Sequence, residues 1–376
     1  MYKILVLNLG GTSTKLAVFE NKRCVLEGNA SIEKPADRPM TGREEVLKRK
    51  ETILKWLADN RLKLDDFDAL APRMGITFYG GDGGTFQIEG ALRDCLEAKY
   101  FPDRPLSHPV FGVIGLLDEL CGEMSHTVPI LTTDPASVNQ YLPEAELTGC
   151  SLITKRSSFH ALNHRAVARK AAEDIGKTYE TANFIVAHLG GGVSVGAHSH
   201  GRIIDVNDAT GDGDGPFSAN RSGSVPAGPI IDLCFSGTYT KEEAIWLLRG
   251  NSGLKAYLGT EDLREAEERA QQGDETAALV IRALAYQISR EIGACYATLC
   301  GDVDAIVLTA GMAHSDLLCN LISCRVGKIA PILRYPGGFE KEALAFGAYQ
   351  VLSGEAEPSV YHADLEYKNV GGKVVL

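Results

Sequence analysis

A chain of 376 residues with 44% hydrophobic and 23% charged side chains is long enough for two globular domains and does not have the composition of a disordered protein. Its formal net charge of -11 excludes the basic field of a nucleic-acid binder, so any anion must be met by locally placed Arg, Lys, backbone N–H groups or metal. No apolar run reaches membrane length, and the apolar stretch after Met1-Tyr-Lys is too short for a secretory signal. The nine cysteines include no C-x-x-C pair, which predicts reduced thiols in a cytoplasmic protein.

Near the N-terminus, Ile4–Ala17 reads as an apolar strand, a glycine turn and a returning strand. Thr41-Gly-Arg-Glu44 is a capping box for a helix with Val46, Leu47, Ile53, Leu54 and Leu57 on one face. A buried strand within 68–75 places Arg73 at its C-terminal edge, where active sites of α/β sheets gather. Tyr79–Thr85 is a glycine-rich loop, and Val113–Cys121 is helical. A strand from Val128 ends at Asp134-Pro135, where the carboxylate is either a site ligand or a turn former.

Lys155–His160 leads into a helix, His160–Ile175, closed by Gly176. A second hairpin follows at Phe184–Ala197. Laid on the first without a gap, it puts Val186 on Val6, Gly190 on Gly10, Gly191 on Gly11, Ser194 on Thr14 and Ala197 on Ala17. Two such turns predict a duplicated chain gripping one polyphosphate through bare N–H groups. The acidic segment 205–215 lacks the setting of a dinucleotide fingerprint, and no P-loop is present. Beyond it, Arg221 lies among loop residues. Thr240–Glu243 caps a helix ended by Gly250; a long Ala-rich helix spans 275–299; a strand, 303–309, delivers a third glycine turn at Ala310–Ala313; the last helix runs over 339–352.

These motifs together resemble the acetate and butyrate kinases of the actin/hexokinase/heat-shock ATPase superfamily, with the stronger likeness to the butyrate kinases. The likeness covers nearly the whole chain. Asn8-Leu-Gly-Gly-Thr-Ser-Thr-Lys15 and 187–198 resemble the family's two phosphate motifs. The segments 158–163, 215–223, 233–237, 253–262 and 286–294 look like butyrate-kinase signatures.

The resemblance implies an α/β fold of two ribonuclease-H-like, actin-type ATPase domains, each a mixed sheet flanked by helices. The N-terminal domain would be 1–150 completed by 340–376, and the C-terminal domain 151–339. It implies reversible transfer from ATP to a short-chain carboxylate, giving ADP and an acyl phosphate, with Mg2+, in a homodimer or higher homo-oligomer. By residue, it implies Asn8, Gly10, Thr12, Ser13, Lys15, His188, Gly190, Gly191 and Gly192 around the phosphates, and Asp262, Arg264 and Gly311 around the nucleoside. Arg221, His160, Asp134 and Arg73 match the catalytic set, and Asn8, Glu340 and Asp134 the metal side. The alternatives are an acetate, propionate or branched-chain acid kinase, or a non-catalytic nucleotide sensor of the same fold.

The pattern is broken in places. Gly11 stands where the family usually has Ser, Pro72–Gly75 replaces the usual surroundings of the arginine, and Gly337–Glu340 lacks one acidic residue. In Ser107–Gly112 the histidine is kept, while Val110 and Phe111 either reshape an acyl pocket or fill the core.

Overall fold

The computed structural model describes residues 1–35, 38–209 and 213–365. Part of the acidic segment 205–215 and the end of the C-terminal tail therefore lie outside the described residues. The chain forms two compact units, one of residues 1–139 with the chain from Phe339, the other of 140–338.

The first unit is built on β1 (Lys3–Leu9), β2 (Ser13–Glu20) and β3 (Arg23–Ser31), an antiparallel meander. After α1 (Gly42–Asp59), β4 (Ala69–Pro72) joins β1 in parallel, giving the order β3-β2-β1-β4. A small antiparallel pair, β5 (Thr85–Gln87) and β6 (Leu131–Thr133), brackets α2 (Gly90–Glu97) and α3 (Val113–Cys121). Alternation sorts β1 as the pleat requires: Leu5, Leu7 and Leu9 enter the core shared with α1, and Ile4, Val6 and Asn8 face the other way.

The second unit begins with α4 (Pro143–Glu146) and α5 (Ala161–Asp174), then repeats the meander as β7 (Asn183–Leu189), β8 (Val193–Ser199) and β9 (Arg202–Val206). Five helices follow: α6 (Ala227–Phe235), α7 (Lys241–Gly250), α8 (Gly253–Leu258), α9 (Leu263–Gln271) and α10 (Glu275–Thr298). The parallel strand β10 (Ala305–Ala310), α11 (Asp316–Val326) and β11 (Ile332–Pro336) complete the sheet β11-β10-β7-β8-β9. Helix α10 covers one face and α5 the other. The final helix, α12 (Glu340–Leu352), returns to the first unit and packs on β1, β4 and β6. Both sheets are thus a three-stranded meander extended on the side of its first strand by parallel strands, one (β4) in the first unit and two (β10, β11) in the second, a duplicated topology.

Three expectations need correction. The hairpins match without a gap only on their outgoing strands. Leu9 pairs with Thr14 across four turn residues, whereas Leu189 pairs with Val193 across three. Lys15, not Thr14, therefore occupies the register position of Ser194: one extra turn residue carries each later side chain to the opposite face. On α1, Leu47 points outward at 42% exposure, and Arg49, at 1%, turns into the core. Finally, Gly311–His314 is a single turn of 3-10 helix, and the left-handed residue before it is Ala310 at φ 72°, not a glycine.

Candidate active site

In the first unit the predicted residues gather where β1, β4 and β6 end. Asn8 Nδ2 donates to Glu340 Oε2 at 2.8 Å, and Arg73, just past β4, puts Nη2 3.4 Å from Glu340 Oε1. Glu340 is the first residue of α12, where a carboxylate suits the positive end of a helix. Asp134 is 3% exposed and held at φ 42°, in the left-handed region that costs a non-glycine residue about 1–3 kcal/mol. Its Oδ1 accepts from Gly84 N–H at 2.7 Å while its own N–H donates to the Gly84 carbonyl, so it also pins the glycine-rich loop. Val110, 8% exposed, packs in the core beside Gly75.

The first glycine turn is shaped from beneath by a residue that the periodicity hid. Arg49 Nη2 donates to the carbonyls of Gly10 and Gly11 at 2.8 and 3.0 Å, and Nη1 to Ser13 O and Thr14 Oγ1, both at 3.1 Å. Glu45 Oε1 accepts from Arg49 Nε and Nη2 at 3.0 and 2.7 Å, balancing the buried charge. The guanidinium thereby fixes the turn's carbonyl dipoles inward. The N–H of Gly10 closes the turn onto Ser13 O at 2.7 Å, while Gly11, Thr12 and Lys15 are exposed and Ser13 half-buried. The only sequence signal was a charged residue three positions after Val46 and four before Ile53, on the buried stripe.

In the second unit the site is arranged around the turn 190–192. Arg221 Nη1 donates to the Ala209 carbonyl and lies against Gly192, where any Cβ would strike the guanidinium. Only glycine permits that approach. Burial lowers the Arg221 pKa, with Asp208 opposing the shift. Ser218 Oγ bonds the Gly191 carbonyl at 2.6 Å, tying the 216–223 loop to the turn. At the end of β7, His188 stacks on His160 with ring centres 3.7 Å apart and planes 5° from parallel. Asn163 Nδ2 donates to His188 Nδ1 at 2.9 Å, which leaves the ring proton on Nε2.

A cleft of about 650 Å³ opens beside that turn, and Gly190, Gly191, Asp262, Arg264 and Gly311 all line it, with Met312 and Ser315. Its size suits a nucleoside. Asp262 also caps α9, accepting from Arg264 N–H at 2.9 Å and from Arg264 Nη2 at 2.6 Å. The Arg264 guanidinium holds the Asp262 carboxyl below its ordinary range. Among the described residues no three His, Cys, Asp or Glu side chains form a metal cage. The donor set suits magnesium held chiefly through nucleotide phosphates and water, because that ion commonly takes only one or two protein carboxylates.

Duplicated meanders with a parallel fourth strand, and a glycine turn in each, define the fold of the actin/hexokinase-like ATPases. The chain is similar over that fold to acetate kinase from Porphyromonas gingivalis, with a TM-score of 0.77 and 21% identity, covering 94% of this chain and 100% of that one. It is similar to a propionate kinase from Francisella tularensis, with a TM-score of 0.70 and 20% identity over 92% and 99% of the two chains. The corresponding values for acetate kinase from Entamoeba histolytica are 0.75 and 16%, over 93% and 100%. Residues 133–326 match the acetokinase family, and the chain belongs to it. It is accordingly a carboxylate phosphotransferase that uses ATP.

Proposed function

We propose that this kinase phosphorylates a short-chain carboxylate of butyrate size, reversibly, with magnesium. The observation that carries the site assignment is the seating of Arg221 on Gly192, beside the stacked His160–His188 pair. Arginine and imidazole donors meet there at one phosphate turn. A fatty acid is already ionised at pH 7, so no general base is required. The barrier lies in bringing a carboxylate to a polyanionic γ-phosphate. Arg221 offers fork geometry to phosphoryl oxygens, His160 donates from Nε2 to a phosphoryl oxygen in transit, and Arg73 is assigned to the carboxylate on the motif likeness. Magnesium, when bound, neutralises charge on the β- and γ-phosphates. Asn8, Glu340 and Asp134 are the residues that would hold it or its water.

The preference for butyrate rests on the motif likeness at 158–163 and 215–223. Pocket volume sets the ranking among acids, and one methylene is worth about 1–3 kcal/mol, so neighbouring acids should also react. We further propose a homodimer in the cytoplasm. Helix α6 has no buried residue and exposes Ile231 and Phe235 at 55% and 86%, which supports association. No described helix is long and apolar enough to cross a membrane.

The test is ATP–magnesium turnover with butyrate, isobutyrate, propionate and acetate, trapping the product as hydroxamate, with Arg221→Ala as control. Butyrate should give the highest kcat/KM, and turnover should fall by about two to three orders of magnitude in the control. A higher kcat/KM for acetate would overturn the substrate assignment. No hydroxamate from any acid, with ATP still binding, would overturn the carboxylate reading.

A further inference from the structure

Behind His160, four polar side chains are joined end to end into the interior. Nδ1 of His160 is 2.9 Å from Ser194 Oγ, which is 2.9 Å from Nε2 of His164. Nδ1 of His164 is 3.1 Å from Nε2 of His198, and Nδ1 of His198 is 2.9 Å from the Tyr179 hydroxyl. Ser194, His164 and His198 are completely buried, and Tyr179 is 3% exposed. This line lies on the α5 face of β7 and β8, opposite the apolar core under α10.

A neutral imidazole has one N–H and one bare nitrogen, so each link holds a single proton and the whole line has one polarity. Burial pushes the pKa of both His164 and His198 well down, keeping these rings neutral. The direction follows from acid–base strength. A phenol is the better donor and an imidazole nitrogen the better acceptor, so Tyr179 donates to Nδ1 of His198. Nε2–H of His198 then donates to His164, Nε2–H of His164 to Ser194, and the Ser194 hydroxyl to Nδ1 of His160. What remains is a proton on Nε2 of His160.

We propose that Tyr179 and His198 are positioning residues, acting through His164 and Ser194 to lock His160 as the Nε2–H tautomer, a fixed hydrogen-bond donor for a phosphoryl oxygen. The opposite tautomer would turn a lone pair on Nε2 toward an anion. With His188 held in the same tautomer by Asn163, the stacked rings offer two parallel N–H donors. Donors already oriented before the charge develops need no reorganisation during the reaction. This inference rests on the role given to His160 above.

The experiment is long-range proton–nitrogen NMR on the full chain labelled with 15N-histidine, with His160→Asn used to assign the ring. The wild type should show His160 as Nε2–H. In Tyr179→Phe the line loses its terminal donor, and the Nδ1–H form of His160 should rise to a comparable population. The kcat should then fall about twofold or more, in step with the lost fraction, while the KM for ATP moves by less than about twofold. A wild-type His160 singly protonated at Nδ1, or a tautomer unchanged by Tyr179→Phe, would overturn the proposal. Should the variant fail to fold, the wild-type tautomer still decides. Failure of wild type to phosphorylate any acid would refute the functional reading and leave the tautomer result standing.

Discussion

Gly192 offers a direct perturbation of Arg221, the proposed catalytic arginine, without touching it. A Cβ there would overlap Nη1 of Arg221, lie 3.1 Å from its Cζ and sit 2.7 Å from the Ala209 carbonyl oxygen. The carbonyl is backbone, so the guanidinium must give way, by about 1 Å or more to restore ordinary contact. A misplacement of that size typically costs about 100-fold in rate, or about 2.7 kcal/mol of transition-state stabilisation. Gly192→Ala should therefore lower kcat about 100-fold while ATP, proposed to bind largely in the neighbouring cleft, keeps most of its affinity. Hydroxamate turnover and calorimetric ATP binding give the two numbers. A double-mutant cycle supplies the decisive check: if Gly192 acts through Arg221, Gly192→Ala adds little on top of Arg221→Ala. Turnover by Gly192→Ala within about threefold of wild type, or additive losses in the cycle, would refute the reasoning.

Other sites give separate expectations. Arg49→Met removes the buried partner of Glu45 and leaves that carboxylate only the more exposed Lys34, 3.1 Å from Oε2; unfolding in urea should show a loss of up to about 3 kcal/mol, with a raised KM for ATP in whatever folds. Glu340→Gln weakens the electrostatics around Asn8 and Arg73, and the magnesium concentration for half-maximal turnover should rise about tenfold or more. Glu291 in α10 is pushed up to about 7 by burial, with Asp214 adding to the shift. A carboxylic acid raised in this way contributes stability that is fully present below its ordinary value of 4.5 and lost as pH rises through 7. Glu291→Gln should flatten the stability profile across that window and gain at most about 3 kcal/mol above it, read from denaturant midpoints as a function of pH.

Local signals that depend on near neighbours were legible in the sequence. The capping boxes at Thr41 and Thr240 both form, because each needs only a residue three positions away. The glycine hairpins are present, and Gly176, at φ 72°, follows α5 as expected. What escaped depends on distant partners. Arg49 faces inward because four turn groups, from Gly10 to Thr14, accept its protons, and nothing in the helical pattern of α1 records them. The register difference between the hairpins is one residue in a turn, invisible when the strands themselves align. Nothing in the sequence links His164 to His198; only the pairing of β7 with β8 and the packing of α5 make them consecutive links. By its neighbours alone Asp134 suits a turn former as well as a ligand, and its place in a reciprocal pair with Gly84 follows from a contact fifty positions away.

The return of α12 to the first unit has a consequence for how this protein comes into being. Gly347 lies so close to Thr85 and Thr133 that a methyl group there would meet both hydroxyls, and Glu340 supplies the carboxylate opposite Asn8. Residues 140–338, by contrast, are one unbroken run. On the ribosome the middle of the chain can therefore finish folding first, while the strands made at the outset wait for a helix translated some 200 residues after the last of them. During that interval the α12-facing side of β1, with Ile4 and Val6, is uncovered. Nascent-chain proteolysis should find the central segment protected before the amino-terminal one, and a stop codon ahead of Phe339 should leave the first unit open to chaperones.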